Sequence, residues 1–159
     1  CKVHPEYNLS EKVWKDVKQF DKKFWGNRYE SIQNFEKHLA NNGTKIVKIF
    51  LNVSKEEQKQ RFLDRINEDD KNWKFSSADV TERGFWNDYM KAYESAINKT
   101  STEYAPWYVI PADQKWFSRV AAIQIIIDKL EEMNLQYPEV SAKEKSALED
   151  LKIKLESEK

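Results

Sequence analysis

A chain of 159 residues is the size of one ordinary domain, and 40 % hydrophobic with 13 % aromatic residues is enough for a real core under a heavily charged, helical exterior. With 27 basic residues balancing 27 acidic ones, no global field draws the chain to nucleic acid, so anion recognition has to come from local clusters. The single cysteine, Cys1, excludes an internal disulfide and a cysteine-built zinc site and fits a cytoplasmic location; no apolar run approaches the length of a membrane span.

Residues 1–12 read as irregular, with Pro5 and the Asn8-Leu9-Ser10 step. Trp25, Tyr29, Ile32, Phe35 and Leu39 then recur at three and four, one face of a helix that Asn41-Asn42-Gly43 ends. Lys45–Val53 (KIVKIFLNV) is nearly continuous in β-branched and aromatic residues, the pattern of a strand covered on both faces. Ser54-Lys55-Glu56-Glu57 reads as a capping box opening a helix over about 55–66. The broken stretch NEDDKNWKFSSADVTERGFW follows, with Ser76, Ser77 and Asp79 as candidate caps. From Trp86 an amphipathic helix runs through Tyr89, Met90, Tyr93 and Ile97, and Trp107–Pro111 supplies a second strand. The last packed helix presents Trp116, Val120, Ile123, Ile127 and Leu130, with Tyr137-Pro138 as its stop. Residues 139–159 read as a separate, exposed, charged helical tail carrying Leu148, Leu151 and Leu155.

Two short strands alternating with long helices predict an α/β fold, a parallel pair joined by a helical crossover. Two strands are too few for a complete sheet. The opening Cys-Lys-Val-His-Pro-Glu reads like the middle of a chain, and the three glycines (Gly26, Gly43, Gly84) are isolated, so no phosphate-cradling loop is present. The expectation is a fragment whose remaining strands precede residue 1.

Arg61 and Arg65, four apart, share one helix face, and Lys71, Lys74 and Arg83 come near if the broken stretch folds back. Guanidinium forks and mobile lysines suit a polyanion. On residues alone, the better reading is ordinary pairing with Glu57, Asp64, Asp69 and Asp70 on a solvated face. In Trp73-Lys74-Phe75 a lysine stands between two aromatics, which either pin a mobile cover or serve as plain core anchors. His4 and His38 have no carboxylate at metal-ligand spacing, so a metal site or nucleophilic triad has no support. Asp113, after the second strand, either caps the next helix or orients a ligand; Lys115 and Arg119 lie one turn apart on that helix.

The strings FLNVSKEEQKQRFLDRI and KNWKFSSADVTERGFWNDYMKAYESAINKTSTEYAPWYVIPADQKWFSR resemble the type 2 polyphosphate kinase family, in the family's order, from about Val3 to Pro138. The resemblance implies a P-loop kinase-like three-layer fold of which this chain holds part, mostly helical with few parallel strands: residues 1–138 as the C-terminal part of the domain, with a lid at about 54–85. It implies phosphoryl transfer between inorganic polyphosphate and AMP, ADP or GDP (giving ATP or GTP), with Mg2+ held mainly by Walker motifs that precede this region. It moves Arg61, Arg65, Lys74 and Arg83 to a phosphate-binding role in the lid, with Lys71 weaker, and places Asp113, Lys115 and Arg119 on the nucleotide side. A homo-oligomer is expected. The competing readings are a non-catalytic, self-associating helical module and another nucleotide kinase with a similar lid.

Overall fold

The computed structural model describes residues 2–9 and 13–158; Cys1 and Ser10 lie outside them. It divides into two compact units, Cys1–Lys129 and Leu130–Lys159. The architecture is mostly helical around one small parallel sheet: α1 (Lys22–Asn41), β1 (Lys48–Asn52), α2 (Lys55–Asn67), α3 (Ser77–Arg83), α4 (Trp86–Thr100), β2 (Trp107–Pro111), α5 (Lys115–Glu132) and α6 (Ala142–Glu156), with a 3-10 helix at Asp69–Lys74.

Local chemistry sets most boundaries. Helix α1 begins ahead of its apolar repeat because the Asp21 side chain accepts from the Phe24 N–H. It ends into Gly43 at φ +86°, a backbone that would strain a residue with a Cβ by about 1–2 kcal/mol. Ser76 and Asp79 form a reciprocal capping box on α3, and Ser141 with Glu144 does the same for α6. Helix α5 stops at Glu132, before the expected Tyr137-Pro138 stop, with Asn134 taking a left-handed φ of 46° just beyond it.

The strands pair in parallel from Lys48 opposite Trp107 to Asn52 opposite Pro111, and the Ala112 N–H extends the pairing to the Asn52 carbonyl at 2.9 Å. Helices α2, α3 and α4 form the crossover between them. Beneath the sheet, α1 packs against α4 around a polar hub. Lys48 Nζ donates to Glu36 Oε2 (2.7 Å) and to the Thr100 carbonyl (2.6 Å), and it lies 5.4 Å from the centre of the Trp107 ring. The Trp107 indole donates to Thr100 Oγ1, its backbone N–H to Ser101 Oγ, and Thr102 Oγ1 accepts from the Ala105 N–H. The segment Thr100–Trp107 is therefore a hydrogen-bonded turn that delivers β2 onto β1, with Ala105, Ile110 and Ala112 buried along it.

Two expectations about packing are corrected. Strand β1 is not covered on both faces: Leu51 is 51 % exposed, and Val109 of β2 52 %. Helix α5 is not packed on its apolar face either, since Trp116, Val120, Ile123 and Ile127 are all exposed. Apolar composition says that a face is suited to burial; whether a neighbour covers it is a tertiary matter that local pattern does not carry. Among the described residues no helix is long and apolar enough to cross a membrane.

Candidate functional site at the strand ends

The two parallel strands point the same way, and at their carboxyl ends the chain enters α2 through Ser54 and α5 through Asp113-Gln114. Strand ends and helix N-termini meeting in this way form the usual ligand-binding crevice of open α/β sheets. Ser54 Oγ accepts from the Glu57 N–H at 3.1 Å, which is half of the capping box expected from the sequence. The other half is replaced. The Ser54 N–H donates to Asp113 Oδ1 (2.7 Å), freeing Glu57 Oε1 to accept from Arg61 Nε (2.8 Å). Arg61 Nη2 then donates to the carbonyls of Ala112 (2.7 Å) and Asp113 (3.2 Å).

Arg61 and Asp113 thus fasten the first turns of α2 to the loop after β2. Asp113 engages the N-cap of α2 rather than capping its own helix. The Ser54 backbone N–H, then the Ser54 side chain, hold the Asp113 carboxyl below the usual carboxylate range, with the Arg61 charge adding to this and partial burial opposing it.

The other basic residues sort by partner. Arg83 Nη1 donates to the Lys55 carbonyl (2.6 Å) and to Gln58 Oε1 (2.9 Å), tying the end of α3 to the start of α2. Lys71 pairs with Glu68. Arg65 lies over the Phe62 ring at 5.7 Å and Lys74 over the Trp73 ring at 5.0 Å, with no acidic partner for either among the described residues. Phe75 anchors the Trp73-Lys74-Phe75 step by packing edge-on to Phe62 at 5.9 Å, while Trp73 is 78 % exposed, so one aromatic pins the segment and the other faces solvent. Lys115 and Arg119 are exposed on α5 and make none of these contacts. The structure therefore joins Arg61 to Asp113, brings Arg83 onto α2, and leaves Lys115 and Arg119 apart from that node.

Beside β1 a cleft of about 290 Å³ opens between α2, α3 and α4, lined among others by Asn52, Gln58, Phe62, Glu82, Arg83 and Tyr89. At its rim is a cluster that sequence reading missed. His4 Nε2 meets Glu82 Oε2 at 2.9 Å, His4 Nδ1 meets Glu6 Oε1 at 3.2 Å, and Tyr89 OH donates to the same Glu82 oxygen at 2.6 Å. The hydrogen bond to Glu82, with partial burial, pushes the Tyr89 phenol up to about 12. Glu82 lies 78 residues from His4, so no spacing rule could have paired them. Among the described residues no three His, Cys, Asp or Glu side chains are grouped to hold a metal.

Comparison with known proteins places the chain in a lineage. A Leptolyngbya boryana chain, described as an uncharacterized protein in the chlN 3′ region, is 53 % identical over 134 residues, 84 % of this chain and 98 % of that one. An ADP-polyphosphate phosphotransferase of Rhodopseudomonas palustris is 50 % identical over 88 % of this chain and 48 % of its own length. The crystal structure of Polyphosphate Kinase 2 from Arthrobacter aurescens TC1 superposes with a TM-score of 0.75 at 43 % identity, over 82 % of this chain and 47 % of that one. The chain thus spans about half the length of that phosphotransferase and of that kinase. The Polyphosphate kinase 2 family pattern matches residues 7–138, which takes in β1, the basic helix α2, the Trp73-Lys74-Phe75 step and β2 with its loop; with the fold shared as well, the chain belongs to the Polyphosphate kinase 2 family.

Proposed function

We propose that this chain is the phosphate-closing, C-terminal portion of a cytoplasmic polyphosphate:nucleotide phosphotransferase, acting between inorganic polyphosphate and AMP or ADP, or alternatively GDP. The observation that carries the reading is the division among the cations of residues 54–85. Arg61 and Arg83 hold α2 against the strand ends, while Arg65 and Lys74 rest on aromatic faces with no carboxylate partner among the described residues. The similarity to an ADP-polyphosphate phosphotransferase supports the same reading.

Phosphoryl transfer depends chiefly on positioning and charge neutralisation. Residues 54–85 then act as a lid: Arg65 forks onto phosphate oxygens, Lys74 adds a mobile point charge, and closure excludes water that would hydrolyse the donor. Asp113, Lys115 and Arg119 stand on the nucleotide side, with Asp113 reaching it through Ser54 and Arg61. Magnesium neutralises charge on the substrates and is held mainly by residues outside this chain. A homo-oligomer is part of the proposal.

The test is ATP formation from long-chain polyphosphate, ADP and magnesium. It compares the 159-residue chain with the same chain extended to include Walker A and Walker B segments. Activity in the extended chain is the expected result. A folded extended chain inactive with polyphosphate would return the protein to a non-catalytic module, and one active with ATP but not polyphosphate as donor would make it another nucleotide kinase.

A further inference from the structure

The His4 cluster has no part in the phosphotransfer reading, and its geometry is informative by itself. Both ring nitrogens face carboxylate oxygens, Nδ1 toward Glu6 at 3.2 Å and Nε2 toward Glu82 at 2.9 Å, and the side chain is only 12 % exposed. A neutral imidazole has one N–H and one lone pair, so in either tautomer one nitrogen would present its lone pair to a carboxylate. Only the doubly protonated ring donates to both. Tyr89 OH donates to the same Glu82 oxygen at 2.6 Å, which keeps that carboxylate an acceptor. Around the ring, Tyr7 stacks at 5.4 Å, Phe85 meets it edge-on at 4.9 Å and the Tyr89 ring lies at 6.2 Å. The contacts come from three places: the N-terminal segment itself (Glu6, Tyr7), the last turn of α3 (Glu82), and the corner into α4 (Phe85, Tyr89).

We propose that His4, Glu82 and Tyr89 form a proton-dependent latch that fastens the segment around residues 2–9 to the α3–α4 corner, closed when the imidazole carries two protons and loosened when it loses one. Among the described residues, Glu6 and Glu82 are the charged groups that the ring nitrogens meet, and both favour the proton. The hydrogen bond to Glu82 dominates in raising His4 above its ordinary 6.5, opposed by partial burial. Glu82 is held below its ordinary 4.5, first by the Tyr89 hydroxyl and then by His4. The signs give a window. The histidine contribution is fully present below 6.5 and is lost as pH rises through the elevated His4 value; the Glu82 contribution is present above 4.5 and is lost as pH falls through its depressed value. The latch is therefore tightest between those limits and opens as pH rises through the elevated His4 value. Arg83, next to Glu82, reaches the first turn of α2, so the latch stands beside the corner that braces the basic helix.

The chain has only two histidines, and His38 is exposed on α1, so the imidazole C–H resonances resolve the question directly. NMR titration of the 159-residue chain is expected to give His4 a midpoint above the ordinary 6.5, with the His4–Phe85 ring cross-peak fading above it. Glu82→Gln, close to isosteric, is expected to lower the His4 midpoint by about one pH unit, a tenfold loss of proton affinity. Tyr89→Phe keeps the ion pair and so keeps an elevated midpoint. A His4 midpoint at or below 6.5 in the unsubstituted chain, or a ring cross-peak indifferent to pH, overturns the latch without any variant having to fold. Neither readout uses enzymatic activity, so the latch and the phosphotransfer assignment succeed or fail separately.

Discussion

Arg65 and Lys74 are the side chains on which the phosphate reading is most directly testable. Each rests on an aromatic face, so truncation removes a charge without orphaning a buried partner. In the extended, active chain, Arg65→Ala and Lys74→Ala are each expected to lower kcat on the order of 10²-fold, the usual loss of one positioned charge stabiliser. Thermal stability should stay within about 0.5 kcal/mol, as for surface substitutions. Unchanged kinetics in both variants would remove the lid assignment. Asp113 makes the opposite case, a charge already engaged by the scaffold. Its carboxyl is depressed by the Ser54 N–H and side chain, so its stabilisation is present above the ordinary 3.8 and is lost as pH falls through the depressed value. Asp113→Asn should flatten the acid limb of the melting-temperature profile below pH 3.8 and leave it parallel to the parent above; an unaltered acid limb would mean that the bond to Ser54 is not made in solution. These roles were unevenly legible. Clustering of Arg61, Arg65, Lys74 and Arg83 is a local matter and visible in the sequence. The hydrogen bonds of Arg61 to carbonyls 51 and 52 residues away, and of His4 to Glu82, depend on which loops the sheet brings together.

The elements that the sequence made readable are those whose signals are local: the caps at Ser54 and Ser76, the stop at Gly43, and the strand Trp107–Pro111 after its Thr-Ser-Thr turn. What it concealed is how the elements are joined, and the hub under the sheet is the clearest instance. Glu36 of α1 and Lys48 of β1 read as routine helix and strand charges, yet each side chain is only 11 % exposed, and their 2.7 Å pair links α1 to the sheet. Lys48 also caps the last carbonyl of α4, at Thr100, so one ammonium serves three elements. Breaking such a pair from one side leaves a buried, uncompensated carboxylate. Lys48→Met is therefore expected to destabilise the fold by about 3 kcal/mol in urea unfolding. Adding Glu36→Leu removes the stranded charge, and the double variant should recover much of that loss, because a buried ion pair is close to neutral against an apolar replacement of similar volume. A double variant no more stable than Lys48→Met alone would place the stabilisation in the Thr100 bond and the Trp107 ring contact rather than in the ion pair.

For the molecule as a whole, the apolar stripe of α5 meets a net charge of zero. Trp116 is 67 % exposed, Val120 60 %, Ile123 56 % and Ile127 41 %, spaced four, three and four along one face within the first compact unit. Isolated exposed apolar residues are ordinary, but a contiguous stripe of this kind is the usual mark of a contact surface. Charge repulsion is what normally keeps such surfaces apart, and 27 positive against 27 negative residues provide little of it near neutral pH. The 159-residue chain should therefore self-associate, with a light-scattering mass that rises with concentration. The driving force is burial of apolar surface, so raising salt should strengthen the association rather than screen it away. Placing two like charges at the centre of the stripe, Val120→Glu with Ile123→Glu, should return the chain to a monomer without lowering its melting temperature, since neither side chain is buried in the isolated fold. Dispersal by salt would assign the association to charged surfaces elsewhere. A monomer at every concentration, unfolding cooperatively, would show that an exposed stripe on α5 is tolerated in solution, and the homo-oligomer would then have to form through a different face.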